Sequence, residues 1–328
     1  MKRIFNRKKI LITGGAGSVG RALAERLLRY SPAVIRIFDI SENEMFRMRS
    51  DFGKSKSMRY LMGDIRDTNR LKLAMEDVDI VVHLAAMKHV YACEYNPFEA
   101  IKTNIDGLQN VINAARETGV RKIIFSSTDK AANPSSIMGT TKLLGEKLIS
   151  LANYYTDNRK TVFSSVRFGN VIGSNGSVVQ LFKKQIQEGI PLTITDNRMT
   201  RFVITMEEAV ELICSAVLFS KGGETFVWKM RTLRVIDLAK AMINKYRKGN
   251  KIKNVLIGKG EGEKMHEEIM TADELSRAAE LKNLYIVFPS IDYLNVAGKY
   301  KNAKKIENPI ISSDMGKHMT EKEIASLF

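Results

Sequence analysis

The chain has 328 residues, 44% hydrophobic and 27% charged, a composition that suits two globular domains and excludes a peptide module, a disordered chain or a coiled-coil rod. Lys and Arg exceed Asp and Glu by 16, which points to nucleic acid, an anionic membrane or a phosphorylated ligand without choosing among them. The two cysteines, Cys93 and Cys214, make no metal-ligand spacing, so the expectation is no metal site and reduced thiols in a cytoplasmic protein.

At the start, Lys2, Arg3, Arg7, Lys8 and Lys9 precede only three apolar residues before a glycine cluster. That run is too short for a signal peptide and reads as a basic lead-in to a strand. No apolar stretch approaches the ~18 residues of a membrane span. From there, β-like runs at 9–13, 34–38, 59–62, 80–83, 122–126 and 162–167 alternate with helical patterns at 18–29, 42–52, 68–76, 97–118 and 137–155. This alternation predicts a doubly wound parallel α/β sheet over residues 1–168. Continuous apolar runs such as Ile80-Val81-Val82 suit strands buried on both faces. Beyond 168 a Gly/Ser/Asn-rich stretch at 169–177, a helix to 188 and a short strand at 192–195 open a smaller region. The segment 206–230 is expected to return to the first sheet, which leaves 169–205 and 231–328 as an interleaved C-terminal region. Eight Lys/Arg against two acidic residues between 240 and 264 alternate with apolar residues and read as a solvated face.

The run Ile12-Thr13-Gly14-Gly15-Ala16-Gly17-Ser18-Val19-Gly20 leads from the first strand into the first helix, the Rossmann-type setting in which a glycine turn cradles a dinucleotide pyrophosphate. Gly14 permits the turn, Gly17 lets the backbone approach phosphates and Gly20 lets helix and strand pack, while the helix N-terminus adds amides and a positive dipole. Asp39 follows Gly20 by nineteen residues. A carboxylate there accepts from both adenosine ribose hydroxyls and repels a 2′-phosphate, so NAD is expected over NADP. Asp39 also suits a helix cap, and Arg36 and Arg47 stay open as phosphate partners. Asp64, after the third strand, serves equally as an adenine partner or the acceptor of an Asx-type turn.

Residues Ser126-Ser127-Thr128-Asp129-Lys130 end the fifth strand, at the carboxyl edge where such sheets bind ligands. Met138 and Lys142, four apart, share one face of the next helix. The arrangement resembles the extended short-chain dehydrogenase/reductases, with a Ser or Thr after the fifth strand and a Tyr four residues before a Lys. Further stretches narrow it: His83-Leu84-Ala85-Ala86-Met87-Lys88-His89-Val90, Glu94-Tyr95-Asn96-Pro97, Lys102-Thr103-Asn104, Arg167-Phe168-Gly169-Asn170-Val171-Ile172-Gly173-Ser174 and Gly262-Glu263-Lys264-Met265-His266-Glu267. Together with Thr128-Asp129-Lys130 they resemble the nucleotide-sugar 4,6-dehydratases of the polysaccharide-biosynthesis group over nearly the whole chain. The Thr-Asp-Lys triplet is the most specific part, since other sugar dehydratases of the superfamily carry Thr-Asp-Glu.

The resemblance implies an NAD-dependent lyase acting on UDP-N-acetylglucosamine: C-4 oxidation, loss of water across C-5 and C-6, and hydride return to C-6. It implies Asp129 as the group that takes the C-4 hydroxyl proton and protonates the departing C-6 hydroxyl. Lys130 becomes the base at C-5, with a pKa depressed beside the nicotinamide and Lys142. Thr128 binds the C-4 oxygen and Lys142 the nicotinamide ribose. Met138 stands where the superfamily has its Tyr, and a thioether takes no proton from a sugar hydroxyl. A branch of the family carries Met there; Met138 with Asp39 is similar to its configuration-retaining members, inversion at C-5 being the alternative. With the glycine loop and both Asp residues, the resemblance assigns Thr13, Ser18, Val19, Ile65, Leu84, Ala85, Ala86, Asn104, Ser126 and Lys142 to the cofactor. It assigns Lys88, His89, Asn170, Ser177, Val178, Thr193, Arg201 and Glu263 to the UDP-sugar, in which the C-terminal region is the substrate-binding part. Arg201 would pair with the pyrophosphate and Glu263 would reach the uridine ribose, while Cys93 faces the sugar or packs as a small buried thiol. A homo-oligomer is expected, and a stand-alone catalytic unit, because the chain starts at the nucleotide fold where many Met-bearing relatives carry a membrane region. No groove-reading or base-stacking module is present in the sequence, so nucleic acid is not an expected partner. A nucleotide-sugar 4-epimerase and a non-catalytic NAD sensor are the alternatives.

Overall fold

The computed structural model describes residues 1–53, 55–155, 161–247 and 252–328, so 248–251 of the basic stretch lie outside the described residues. Seven strands run parallel in one sheet: β1 (Lys9–Thr13), β2 (Val34–Asp39), β3 (Met58–Met62), β4 (Ile80–His83), β5 (Lys122–Thr128), β6 (Val162–Phe168) and, later in the chain, β10 (Thr225–Trp228). Three more, β7 (Asn170–Val171), β9 (Thr200–Ile204) and β11 (Arg231–Arg234), make a small second sheet, and β8 (Leu192–Ile194) pairs with β12 (Asn254–Leu256). The hairpin β13 (Ala278–Leu281) and β14 (Leu284–Val287) closes the large sheet antiparallel to β10, for the order β13-β14-β10-β6-β5-β4-β1-β2-β3. The chain leaves β1 toward β2 and β3 on one side and toward β4 on the other, so a crevice opens at the carboxyl ends of β1 and β4.

Alternation sends the apolar residues of these strands to two layers, one on each side of the sheet. Ile10 and Ile12 face one layer, with Ile35, Ile37, Val82, Ile124 and Val166, under helices Ser18–Leu28 and Met206–Phe219. Leu11 faces the other, with Val81, Ile123, Phe125 and Phe163, under helices Thr68–Met75, Gly107–Thr118 and Ile137–Ala152. Both faces of the inner strands β1, β4, β5 and β6 are covered, which accounts for their apolar runs, and buried polar side chains such as Ser164 and Arg167 on β6 are hydrogen-bonded inside. The smaller region has its own core around Phe182, Ile186, Ile194, Leu238, Met242 and Ile324.

Several elements differ from the sequence reading. The helix expected over 97–118 is two helices, Pro97–Ile101 and Gly107–Thr118, joined by a π-helical turn at Lys102–Asp106. The widened turn carries Asn104, whose amide is drawn inward to Met87 and Thr141. Residues Lys2–Phe5 form a helical turn rather than only a lead-in. Residues 278–287 join the large sheet, although 231–328 was read as part of the smaller region; two four-residue strands around a Lys282-Asn283 turn, with Lys282 at φ +57°, carry no crossover signature. Among the described residues no helix is long and apolar enough to cross a membrane.

Candidate active site

The crevice is a cleft of about 880 Å³ running from the glycine loop past the end of β5 to the loop after β7. At one end lie Gly14, Gly17, Ser18, Val19 and Gly20. Gly14 sits at φ +63°, and a Cβ there would lie 2.6 Å from the Ala85 nitrogen, so only glycine allows the turn to rest on the chain leaving β4. The helix beyond starts at Ser18, and its first three residues line the cleft. Asp39 braces this loop: its carboxylate accepts from the Ala16 and Ser41 N–H groups, each at 3.0 Å, and still faces the cleft. The Arg36 guanidinium donates to the Ala74 and Glu76 carbonyls at 2.7 Å, and Arg47 pairs with Glu44. Asp64 accepts from the Arg66 amide at 2.9 Å and from its guanidinium, which holds the carboxyl below its ordinary range; this is the Asx-type turn, and it too lines the cleft.

Ile65, Leu84, Ala85, Ala86 and Ser126 also line it. Thr13 and Asn104 do not, and their polar atoms are spent inside the protein. Thr13 is fully buried with its hydroxyl 2.6 Å from His83 Nδ1. Asn104 holds both backbone groups of Met87, at 2.8 and 3.0 Å, together with Thr141, thereby fixing the chain after β4 against the helix that carries Met138 and Lys142.

The chemical groups gather at the end of β5. Ser136 caps the helix Ile137–Ala152 by accepting from the Gly139 N–H at 3.1 Å. A Cβ on Gly139 would clash with the Lys130 carbonyl, so this glycine lets the helix rest on the turn at Asp129–Ala131. Lys142 donates from Nζ to the Ser126 carbonyl at 2.8 Å and lies 4.6 Å over the Phe125 ring; burial, only partly opposed by Glu146, pushes its pKa down to about 8. Met138 lines the cleft and packs with Cys93 and Ala100. Cys93 is fully buried there, and burial raises its thiol pKa.

Thr128 and Lys130 line the cleft, whereas Asp129 is fully buried behind them. Its Oδ1 accepts from Thr128 Oγ1 and from Lys130 Nζ, both at 2.9 Å. A second carboxylate, Glu267, lies 3.2 Å from Lys130 Nζ on Oε1. The expectation of a depressed Lys130 pKa is therefore corrected: burial alone would lower it, but Asp129 and Glu267 outweigh burial and hold it above its ordinary value. The pKa of Lys142, by contrast, falls. Asp129 Oδ2, Glu267 Oε2, Asn170 Oδ1, Ser127 Oγ and Ser177 Oγ are buried without a hydrogen-bond partner, an accumulation of unmet polar groups that suits a ligand-binding site.

Of the residues expected at the sugar, Lys88, His89, Asn170 and Ser177 line the cleft. Lys88 Nζ donates to the Asn175 carbonyl at 2.6 Å and the Asn175 N–H to Ser18 Oγ at 3.0 Å, so the loop after β7 bridges the glycine loop and the end of β4. Burial lowers the pKa of both Lys88 and His89. Four others are placed elsewhere. Val178 starts the next helix and packs on the smaller core. Thr193 accepts from Gln185 at 3.0 Å. Glu263 accepts from the Gly260 N–H at 3.0 Å. Arg201 turns inward, donating to the Thr200 carbonyl at 2.7 Å with Nε 3.9 Å from Glu267. Sequence reasoning gave Glu267 no role; its signal was a carboxylate inside the 262–267 stretch, with no indication that it meets Lys130.

Deeper still, Arg167 is fully buried between Glu146 and Glu274, donating to both and to the Ile269 carbonyl. It ties the helix of Lys142 to the segment that follows Glu267. Among the described residues no cluster of metal ligands exists.

The sequence pattern of the polysaccharide biosynthesis protein family matches residues 10–289. A UDP-N-acetylglucosamine 4,6-dehydratase (inverting) of Campylobacter jejuni is 46% identical over 89% of this chain and 86% of its own length. A UDP-glucose 4-epimerase of Rickettsia bellii is 39% identical over 92% and 89%. The crystal structure of Pen from Bacillus thuringiensis superposes with a TM-score of 0.93 at 42% identity, covering 99% of this chain and 98% of that one.

Proposed function

The chain belongs to the polysaccharide biosynthesis protein family, and from that premise we propose that it is a UDP-N-acetylglucosamine 4,6-dehydratase that uses NAD. The observation that carries the reading is the Thr128-Asp129-Lys130 cluster at the open end of β5, with Thr128 and Lys130 facing a cleft that the glycine loop shares. The cradle at Gly14 and the helix start at Ser18 fit a dinucleotide pyrophosphate. Asp39 fits two ribose hydroxyls, and the engagement of Arg36 with backbone carbonyls supports NAD over NADP.

When bound, the dinucleotide supplies a hydride acceptor that returns to its starting state within each turnover. Thr128 Oγ1 receives the C-4 hydroxyl hydrogen bond and relays its proton to Asp129 Oδ1, 2.9 Å away. Asp129 returns that proton, again through Thr128, to the C-6 oxygen as water leaves. Lys130 Nζ takes the C-5 proton, which the C-4 ketone has acidified, and gives it back to C-5. Removal and return by one amine on one face support retention at C-5. Lys142 holds the nicotinamide ribose and lends positive potential. Met138 contributes shape and no proton. Asn170 and Ser177, each with an unmet polar atom, bind the sugar nucleotide beside Lys88 and His89.

The two buried, free thiols suit a cytosolic setting. Exposed Tyr91, Tyr95 and Phe98 on neighbouring short helices suit a homo-oligomer. A second reading, C-4 epimerisation, has the Rickettsia relative in its favour, and the Campylobacter relative favours inversion at C-5. One experiment separates all three: the protein is incubated with NAD and UDP-N-acetylglucosamine, and the product is read by NMR. A C-6 methyl group with a through-space (Overhauser) contact between H-3 and H-5, which requires both on one ring face, is the expected result. A retained C-6 oxygen with inverted C-4 means epimerisation, inverted C-5 means the other dehydratase outcome, and unchanged substrate refutes the enzyme reading.

A further inference from the structure

Lys130 can act as a base at C-5 only as a free amine, since an ammonium has no lone pair. Yet its Nζ rests between two anions, Asp129 Oδ1 at 2.9 Å and Glu267 Oε1 at 3.2 Å, and these carboxylates favour the ammonium. A proton must leave Lys130 within the complex before one arrives from carbon. On the dehydratase reading, Asp129 is already engaged with the C-4 proton. Glu267 is the other carboxylate in contact with Nζ. It is 2% exposed at its side chain, and its backbone N–H donates to Ser313 Oγ at 2.8 Å. Oε1 faces Lys130, whereas Oε2 is buried with no partner and is free to carry a hydrogen. The other charged groups facing this pair are Asp129, after β5, and Arg201, on β9. Burial first and Asp129 second raise the Glu267 pKa, with Lys130 and Arg201 opposing.

We propose that Glu267 is a positioning residue that stores the resting proton of Lys130, an inference that rests on the dehydratase reading. With the sugar in the cleft, the ammonium of Lys130 and the carboxylate of Glu267 become a neutral amine and a neutral carboxylic acid. The amine takes the C-5 proton and later returns it to C-5, after which Glu267 gives its stored proton back to Nζ. The pair begins and ends each turnover in the same state, and no proton from Lys130 passes to solvent.

The test compares wild type with Glu267→Gln and Glu267→Asp. Gln keeps the shape but cannot hold an acid proton, so Lys130 must release its own to solvent before each turnover. Between roughly pH 6 and 9, kcat on UDP-N-acetylglucosamine is expected to be flat for wild type and for Glu267→Asp. For Glu267→Gln it is expected to climb about tenfold per pH unit. Independently of activity, adding UDP-N-acetylglucosamine to the NAD-loaded wild type should produce an infrared band of a protonated carboxyl that Glu267→Gln lacks. A flat kcat profile for Glu267→Gln overturns the proposal, and so does a wild-type difference spectrum without that band, whether or not the variant folds. A wild type that leaves the sugar unchanged overturns the dehydratase reading itself, a failure distinct from the other two, and the proposal falls with it.

Discussion

Replacing Lys142 by Met tests whether the lysine beneath the cleft is held at the expense of stability. Lys142 is 5% exposed, and burial drops its pKa from 10.5 to about 8. Below pH 8 folded and unfolded chains both carry the proton, and the folded state bears the full penalty of a buried ammonium. Between 8 and 10.5 the folded lysine is neutral while the unfolded one is still charged, so the penalty is progressively relieved; above 10.5 it is gone. A shift of this size corresponds to roughly 3 kcal/mol. Wild type at neutral pH offsets part of it through the 2.8 Å bond to the Ser126 carbonyl and the contact with Phe125. Those gains act on the level of stability, whereas the titration sets its slope. Met fills a similar volume and does not titrate, so the other ionisable groups cancel in the comparison. Urea unfolding of both proteins from pH 7 to pH 10.5 should therefore show wild type gaining roughly 3 kcal/mol on the variant, with most of the change above pH 8. A stability difference that stays constant over that range, or that moves toward the variant, refutes the assignment of a buried, depressed lysine.

On the proposed mechanism Asp129→Asn removes a proton carrier and no cofactor contact, so it should lower kcat by about 10²–10⁴-fold while leaving NAD affinity, read by fluorescence titration, within a few fold. Asp39→Ala should raise the affinity for NADP relative to NAD, and cost about 1–2 kcal/mol in urea unfolding because the Ala16 and Ser41 N–H groups lose their acceptor. Arg167→Met should destabilise by roughly 3–5 kcal/mol, because Glu146 and Glu274 are left buried without their cation; a loss under about 1 kcal/mol would contradict the structural role given to this residue.

The parts of the site that are local in sequence were legible, and the parts assembled by packing were not. The glycine loop, Asp39 and the Thr128–Lys130 turn each lie at or just past the end of a strand, so strand position alone brings them to the open edge. Arg201 and Thr193 lie on the small sheets and Glu263 in the loop after β12, and which way such a side chain turns depends on partners brought in by packing. Arg201 illustrates this: its pairing with Glu267 spans 66 residues. The depressed pKa expected for Lys130 failed for the same reason, because it counted the cations near it and missed Glu267. In the fold, the six early strands were visible as apolar runs, while the Asn104 turn and the β13–β14 hairpin left no periodic trace.

That hairpin also bears on how the protein comes into being. β10 presents its outer edge to β14 alone, through the register Thr225–Val287 to Trp228–Leu284, and 56 positions separate Trp228 from Leu284. At roughly 5–20 residues per second of synthesis, a growing chain displays the bare edge Thr225-Phe226-Val227-Trp228 for about 3–11 seconds before its cover is made. An unpaired apolar edge is a template for pairing with another chain. The edge of β10 is thus bare late in translation, after the seven parallel strands are made, and a truncation between 228 and 284 should leave it uncovered, read as a lower soluble yield than that of the full chain.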